Sequence, residues 1–141
     1  MPLIDETTAF GERAAGHLRD EPVVWMTTVT PNGRPMPSPV WFLWDGEESV
    51  LMFSRPTSPR IRNLDANPRV SLNFGGDGSG GDIVVLSGEA TIERDGPAAD
   101  AVPGYVSKYA RSIERNGWTP AEMAADFSAP IRIRLTGLRG H

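Results

Sequence analysis

The sequence predicts a mainly β fold: an antiparallel barrel of six strands with helices at its periphery. Three observations carry this. Fifteen glycines and 13 prolines make up a fifth of the 141 residues, against roughly 12% in average usage, which implies many turns and hence short strands. Runs rich in Val, Thr, Ile, Trp and Phe are bounded by those turn residues. Helical periodicity is confined to short stretches at the start, in the middle and late in the chain. A barrel suits such a chain because closure hides strand edges. Residues 1–141 are read as a single domain.

Each element has its own signal. A helix is expected over about 6–20, where Phe10, Ala14 and Leu18 recur at i, i+4 and i+8. Val23 to Thr30 is the first strand, and Asn32-Gly33 turns it back, since both residues accept positive φ. Arg34 to Trp44 is the second strand. Asp45-Gly46 turns it into the third, Ser49 to Ser54, so that three strands form a meander. Ser58 to Asn67 is a short helix with Ser58 as N-cap, Pro59 at its first position and Asn67-Pro68 ending it. Arg69 to Phe74 and Ile83 to Glu93 are the fourth and fifth strands, joined by a glycine-rich loop. A helical insert spans about 98–127, interrupted at Pro103-Gly104, with a capping box at Thr119-Pro120-Ala121-Glu122. Ile131, Ile133 and Leu135 mark the last strand.

Composition narrows the chemistry. The net charge is −4, which disfavours nucleic acid, whose phosphates demand a basic face. There is no cysteine, and the two histidines are His17 and His141. Thiolate catalysis, Fe–S clusters, Cys-type zinc sites and His-rich metal sites are therefore excluded. No metal ligand set and no catalytic side chain is assigned. No apolar run approaches the roughly 20 residues of a membrane span, and the N-terminus lacks the regions of a signal peptide. A cytoplasmic location is expected. The loop Gly75 to Gly81 lies between two strands and lacks the following helix of a phosphate loop, so it is read as a hairpin connection.

One segment departs from the acidic average. Ser49 to Gly76 holds Arg55, Arg60, Arg62 and Arg69 against Asp65 alone. Within it, a strand end meets a helix start, whose first-turn N–H groups carry the positive end of the dipole. Ser54, Thr57 and Ser58 add hydroxyls, and arginine forks bind phosphate in two-pronged fashion. A phosphate pocket is one reading; a solvated basic helix with pairs such as Arg62 to Asp65 is the other. Arg60 and Arg62 lie two apart, on opposite sides of a regular helix, so Arg60 with Asn63 is the better same-face pair.

The second strand is unusual too. Pro35, Pro37 and Pro39 alternate, so one side of it lacks three donors in a row and must be an edge or face something other than a strand. Val40-Trp41-Phe42-Leu43-Trp44 follows, apolar on both faces. One face fills the barrel. The other needs a flat ligand, a second subunit or a covering helix.

Taken together, Thr28 to Pro35, Ser38-Pro39-Val40-Trp41-Phe42 and the run Ser58 to Ser71, with Arg60-Ile61-Arg62-Asn63-Leu64 and Asn67-Pro68-Arg69-Val70-Ser71, resemble the pyridoxamine 5'-phosphate oxidase-like split-barrel proteins. Gly88-Glu89-Ala90, Tyr105 with Lys108-Tyr109, and Pro130 to His141 look like the F420-dependent branch, the FDOR-B type of flavin/deazaflavin oxidoreductase. The resemblance runs from about Pro22 to the C-terminus. It implies a homodimer of six-stranded split barrels of the FMN-binding type, with a cofactor in a groove at the subunit interface. The phosphate end would meet Ser54, Arg55, Ser58, Arg60 and Asn63, with Arg62 nearby. The ring would lie along Ser38, Pro39, Val40 and Trp41, with Tyr109 and its helix contributed by the partner subunit. FMN-using oxidases of this superfamily carry basic residues on the second strand, whereas this chain has Ser38, Pro39, Leu43 and Trp44. The expected cofactor is therefore coenzyme F420, with FMN as the alternative. The expected activity is hydride transfer from reduced F420 to a small-molecule electron acceptor, a conjugated compound. The alternatives are an FMN oxidase or reductase, and a non-catalytic carrier of F420 or flavin.

Overall fold

A computed structural model describes residues 2–141. The strands are β1 (Val24–Val29), β2 (Pro35–Val40), β3 (Leu43–Trp44), β4 (Ser49–Ser54), β5 (Arg69–Asn73), β6 (Val84–Ile92) and β7 (Ala129–Gly140). The helices are α1 (Ala9–Asp20), α2 (Pro59–Ala66), α3 (Pro103–Arg115) and α4 (Pro120–Asp126), with a 3-10 turn at Ala99–Ala101. All neighbouring strands pair antiparallel, in the order β2-β1-β5-β6-β7-β4-β3.

That order defines the split barrel. The two edge strands, β2 and β3, are consecutive in the chain and separated by Trp41 and Phe42 alone. The sheet curls until its edges are joined by those two residues. Seven strands therefore stand where the sequence predicts six, because the expected strand Arg34 to Trp44 breaks at Trp41-Phe42. The expected three-strand meander is corrected in the same way. Val29 to Pro35 closes the β1–β2 hairpin and Asp45-Gly46 the β3–β4 hairpin, but the two lie at opposite edges.

The prolines account for the edge. Pro35, Pro37 and Pro39 sit opposite Val29, Thr27 and Trp25 of β1. The other side of β2 has no strand partner, so the missing donors leave no ladder bond unmade.

Two apolar clusters stabilise the sheet, one on each face. Inside the barrel lie Met26, Phe42, Met52, Leu72, Leu86, Ile131 and Ile133, with Ala14, Ala15 and Leu18 from α1. Burying a side chain of this size stabilises by about 1.5–3 kcal/mol. Outside, Leu51 and Phe53 of β4 pack against Tyr105, Tyr109 and Ile113 of α3 and Met123 of α4. β4 is buried on both faces because its alternate residues serve the two clusters. At Gly88 a bulge shifts the β6–β7 register. A Cβ there would come within 2.6 Å of Ile133 Cγ2 and 3.0 Å of the Arg134 carbonyl oxygen, so the position accepts only a glycine without a shift.

Helix starts follow the expected chemistry. Thr119 caps α4 through a complete capping box with Glu122, and Pro120 follows it. Pro59 opens α2 after Ser58, whose hydroxyl makes no capping bond. The last strand runs to Gly140, beyond the Ile131, Ile133 and Leu135 that mark it in the sequence, because it continues against β6 to Val84.

Candidate functional site

The break between β2 and β3 opens a cavity of about 590 Å3. Pro39, Val40 and Trp41 form one wall. Arg55, Thr57, Ser58, Pro59 and Arg60 form the second, where β4 ends and α2 begins. Phe53, Tyr105, Trp118, Met123 and Phe127 close it from the helical side. One end is thus aromatic and the other cationic. The chain builds the cationic end by turning sharply after β4: the Ser58 N–H donates to the Arg55 carbonyl at 3.0 Å, and Pro59 then starts α2.

Arg60 lies in the first turn of α2 and spans the mouth. Its Nη1 donates to Ser54 Oγ at 3.1 Å and its Nη2 to Ser38 Oγ at 3.0 Å. The two serines lie on different strands, Ser38 on β2 and Ser54 at the end of β4, and neither lines the cavity itself. Arg60 Nε is buried without a hydrogen-bond partner. Burial lowers the pKa of this guanidinium, which still stays charged at neutral pH. No carboxylate pairs with it among the described residues. A half-desolvated cation with an orphaned donor is unfavourable unless an anion completes it.

The remaining expected site residues separate into three groups. Ser38, Pro39, Val40, Trp41, Ser54, Arg55, Ser58 and Arg60 stand at the cavity or bond to Arg60 there. Arg55 lies at the mouth, but Asp126 of α4 holds its Nη2 at 2.9 Å and its Nε at 3.1 Å, over the Phe127 ring. Arg62 and Asn63 do not reach this cavity. Arg62 is exposed on the opposite side of α2, as helical geometry requires. Asn63 is buried and donates from Nδ2 to Thr28 Oγ1 at 3.0 Å, fastening α2 to β1. The expected same-face pair holds, since Arg60 reaches Ser38 and Asn63 reaches Thr28 and Met36 on one face of the β1–β2 ribbon, but Asn63 is spent on that ribbon and not on the cavity. The expected Arg62 to Asp65 contact is replaced, since Asp65 pairs with Arg94 at 3.2 Å.

Tyr109 likewise does not line the cavity. It is buried against the chain's own barrel, behind Trp41, whose ring stacks on it with centroids 4.3 Å apart. Its hydroxyl accepts from the Phe42 N–H at 2.8 Å and donates to the Pro22 carbonyl at 2.6 Å. The Phe42 carbonyl receives Lys108 Nζ at 3.0 Å. Phe42 sits at the break, where neither edge strand offers it a ladder bond, and α3 supplies those partners instead. Of the readings open for the outer face of Val40 to Trp44, the covering helix holds for Trp41 and Leu43. Tyr105, one turn earlier, reaches the cavity.

Phe53, Met123 and Phe127 were missed as wall residues. The signal was present for Phe53: Ser49 to Ser54 is apolar on both faces, which demands a cover on each. Met123 and Phe127 carry no local signal. In the glycine-rich loop, Asp77 Oδ1 accepts from the Ser79 and Gly81 N–H groups at 2.8 and 2.9 Å. The loop thus folds on its own aspartate, and none of its residues lines the cavity.

Comparison with known proteins agrees with this architecture. A family model described as pyridoxamine 5'-phosphate oxidase matches residues 10–136. No curated protein matches the sequence. Among solved structures, a pyridoxamine 5'-phosphate oxidase-like protein from Listeria innocua superimposes with a TM-score of 0.65 at 23% identity, covering 91% of this chain and 94% of the other. An F420 reductase gives 0.60 at 24% identity, covering 86% and 93%. A heme storage protein from Vibrio cholerae gives 0.60 at 21%, covering 99% and 95%. At these identities the likeness is one of fold.

Proposed function

The chain belongs to the pyridoxamine 5'-phosphate oxidase family, and from that premise we propose that it is an F420H2-dependent oxidoreductase that reduces a conjugated small molecule. The observation that carries this reading is Arg60: a half-buried cation with an orphaned Nε, and without a carboxylate, at the mouth of an aromatic-lined cavity. These residues fit a ring cofactor with a phosphate-bearing tail. Arg60 takes the phosphate, with Ser54 and Ser38 fixing its fork. Thr57 and Ser58 line the same end. Pro39, Val40 and Trp41 offer a flat apolar edge for the ring, and Tyr105, Trp118 and Phe127 exclude water from its far side.

When bound, reduced F420 supplies the hydride, and the reaction needs no acid or base from the protein because solvent can supply the proton. The chain's part is to hold ring and acceptor in contact and to keep water out. F420 is favoured over FMN because the second strand brings Pro39, Val40 and Trp41 to the cavity and no basic residue. A positive charge beside the ring is the usual device for stabilising a reduced flavin.

A second copy of the chain is the proposed cover for the open side. Trp25 is a large apolar side chain left 42% exposed on the outer face of the β1–β2 ribbon. Trp25 sits directly opposite Pro39, a cavity wall residue, so a partner docked there would adjoin the cofactor. No helix among the described residues is long and apolar enough to cross a membrane.

Stopped-flow reoxidation of protein-bound F420H2 across a panel of quinones, enones and nitroaromatics tests the activity. Turnover with one class supports it. Binding without turnover on any acceptor marks a carrier instead.

A further inference from the structure

The Arg55–Asp126 ion pair stands at the cavity. Both contacts of the Arg55 fork, Nε at 3.1 Å and Nη2 at 2.9 Å, go to a single oxygen, Asp126 Oδ2. The guanidinium also covers the Phe127 ring, 4.8 Å from its centroid. Arg55 and Phe127 both line the cavity. The geometry has a simple origin. Ser54 is paired with Ala129 where β4 meets β7, so the residues just beyond, Arg55 and Asp126-Phe127, lie side by side.

We propose that Asp126 is a specificity-determining competitor, occupying the Arg55 fork in place of a ligand anion and yielding it only to a ligand charged enough to take it. This rests on the reading of the cavity as a phosphate-tailed cofactor site. Three facts favour an exchange over a permanent brace. The pair is exposed, with side-chain exposures of 55% and 52%, and exposed ion pairs are weak and screened by salt. The fork meets one carboxylate oxygen rather than two, so the two-pronged fit that makes Arg–carboxylate pairs strong is not used. Arg60, at the same mouth, has no carboxylate at all and so forms the permanent anion seat. A single phosphate is satisfied at Arg60. A second negative charge, such as a tail carboxylate or a second phosphate, displaces Asp126 and gains Arg55.

Inorganic pyrophosphate carries two linked anionic groups without a ring, so it reads this exchange whichever ring the cavity accepts. Its affinity, followed by tryptophan fluorescence, is compared in the wild type, Asp126→Asn, Arg55→Gln and the double variant, beside monophosphate. Asp126→Asn is expected to tighten pyrophosphate by about two- to fivefold, the worth of an exposed pair. Monophosphate affinity stays unchanged, and the gain disappears in the Arg55→Gln background. An equal gain for both anions, a gain that survives Arg55→Gln, or no pyrophosphate binding to any variant overturns the proposal. Pyrophosphate behaving as expected while neither F420 nor FMN binds would leave the exchange standing and overturn the cofactor reading alone.

Discussion

The Tyr109 hydroxyl and the Phe42 N–H are 67 positions apart in the chain and 2.8 Å apart in space. That bond closes the barrel where its two edge strands meet, since Phe42 has no ladder partner at the break. Tyr109→Phe keeps the ring under Trp41 but leaves the Phe42 N–H buried and unpaired. A loss of about 1–3 kcal/mol in folding free energy is expected, measured by urea unfolding. A change within error would mean that the break is held by packing alone.

Lys108, the neighbouring clamp, gives the chain a pH signature. Burial pushes its ammonium from the ordinary value of 10.5 down to about 8, while Asp20 and Glu21 pull it up. Between these two values the unfolded chain binds more protons than the folded one, so stability rises with pH. Below about 8 the protonated cost is constant. Tyr105 and Tyr109 act oppositely: burial raises both, so their contribution is lost as pH climbs through the unfolded tyrosine value of about 10. Over pH 8 to 10, thermal midpoints of the wild type should therefore rise relative to those of Lys108→Met. Parallel curves would show that burial does not govern this lysine.

Ser54 makes no direct claim on a ligand, being fully buried. Its Oγ accepts from Arg60 Nη1 and donates to the Arg55 carbonyl at 3.0 Å. Ser54→Ala frees the Arg60 fork to swing. Cofactor binding should weaken by about 0.5–1.5 kcal/mol, seen as a faster dissociation rate in ligand displacement. Loss of affinity through a slower association rate alone would argue against a positioning role.

What was legible in the sequence follows physical range. Pro59, the Thr119 box and Asn32-Gly33 act within a few residues, and the two helix starts and the hairpin turn stand as expected, although of the turn pair only Gly33 takes a positive φ. The alternating prolines announced an edge because a missing donor has one meaning in any sheet. The break at Trp41-Phe42 was not legible: an unbroken apolar run hides a point where the chain leaves one edge and enters the other. Nor were the assignments of Asn63 and Tyr109. Their polar groups are claimed by Thr28, Phe42 and Pro22, distant in sequence, so residue type alone suggested a ligand role that the fold redirects. Arg60 stood out from its setting, but its orphaned Nε depends on three elements meeting.

Calorimetric titration of the purified protein and of Arg60→Ala, each with F420 and with FMN, bears on the central claim most directly. F420 should bind the wild type more tightly than FMN. Arg60→Ala should weaken F420 by about 1.5–3 kcal/mol, the worth of a charged hydrogen bond, with the fold retained by circular dichroism. Unchanged F420 affinity in the variant would move the phosphate seat elsewhere, and tight FMN with no F420 binding would contradict the proposed cofactor.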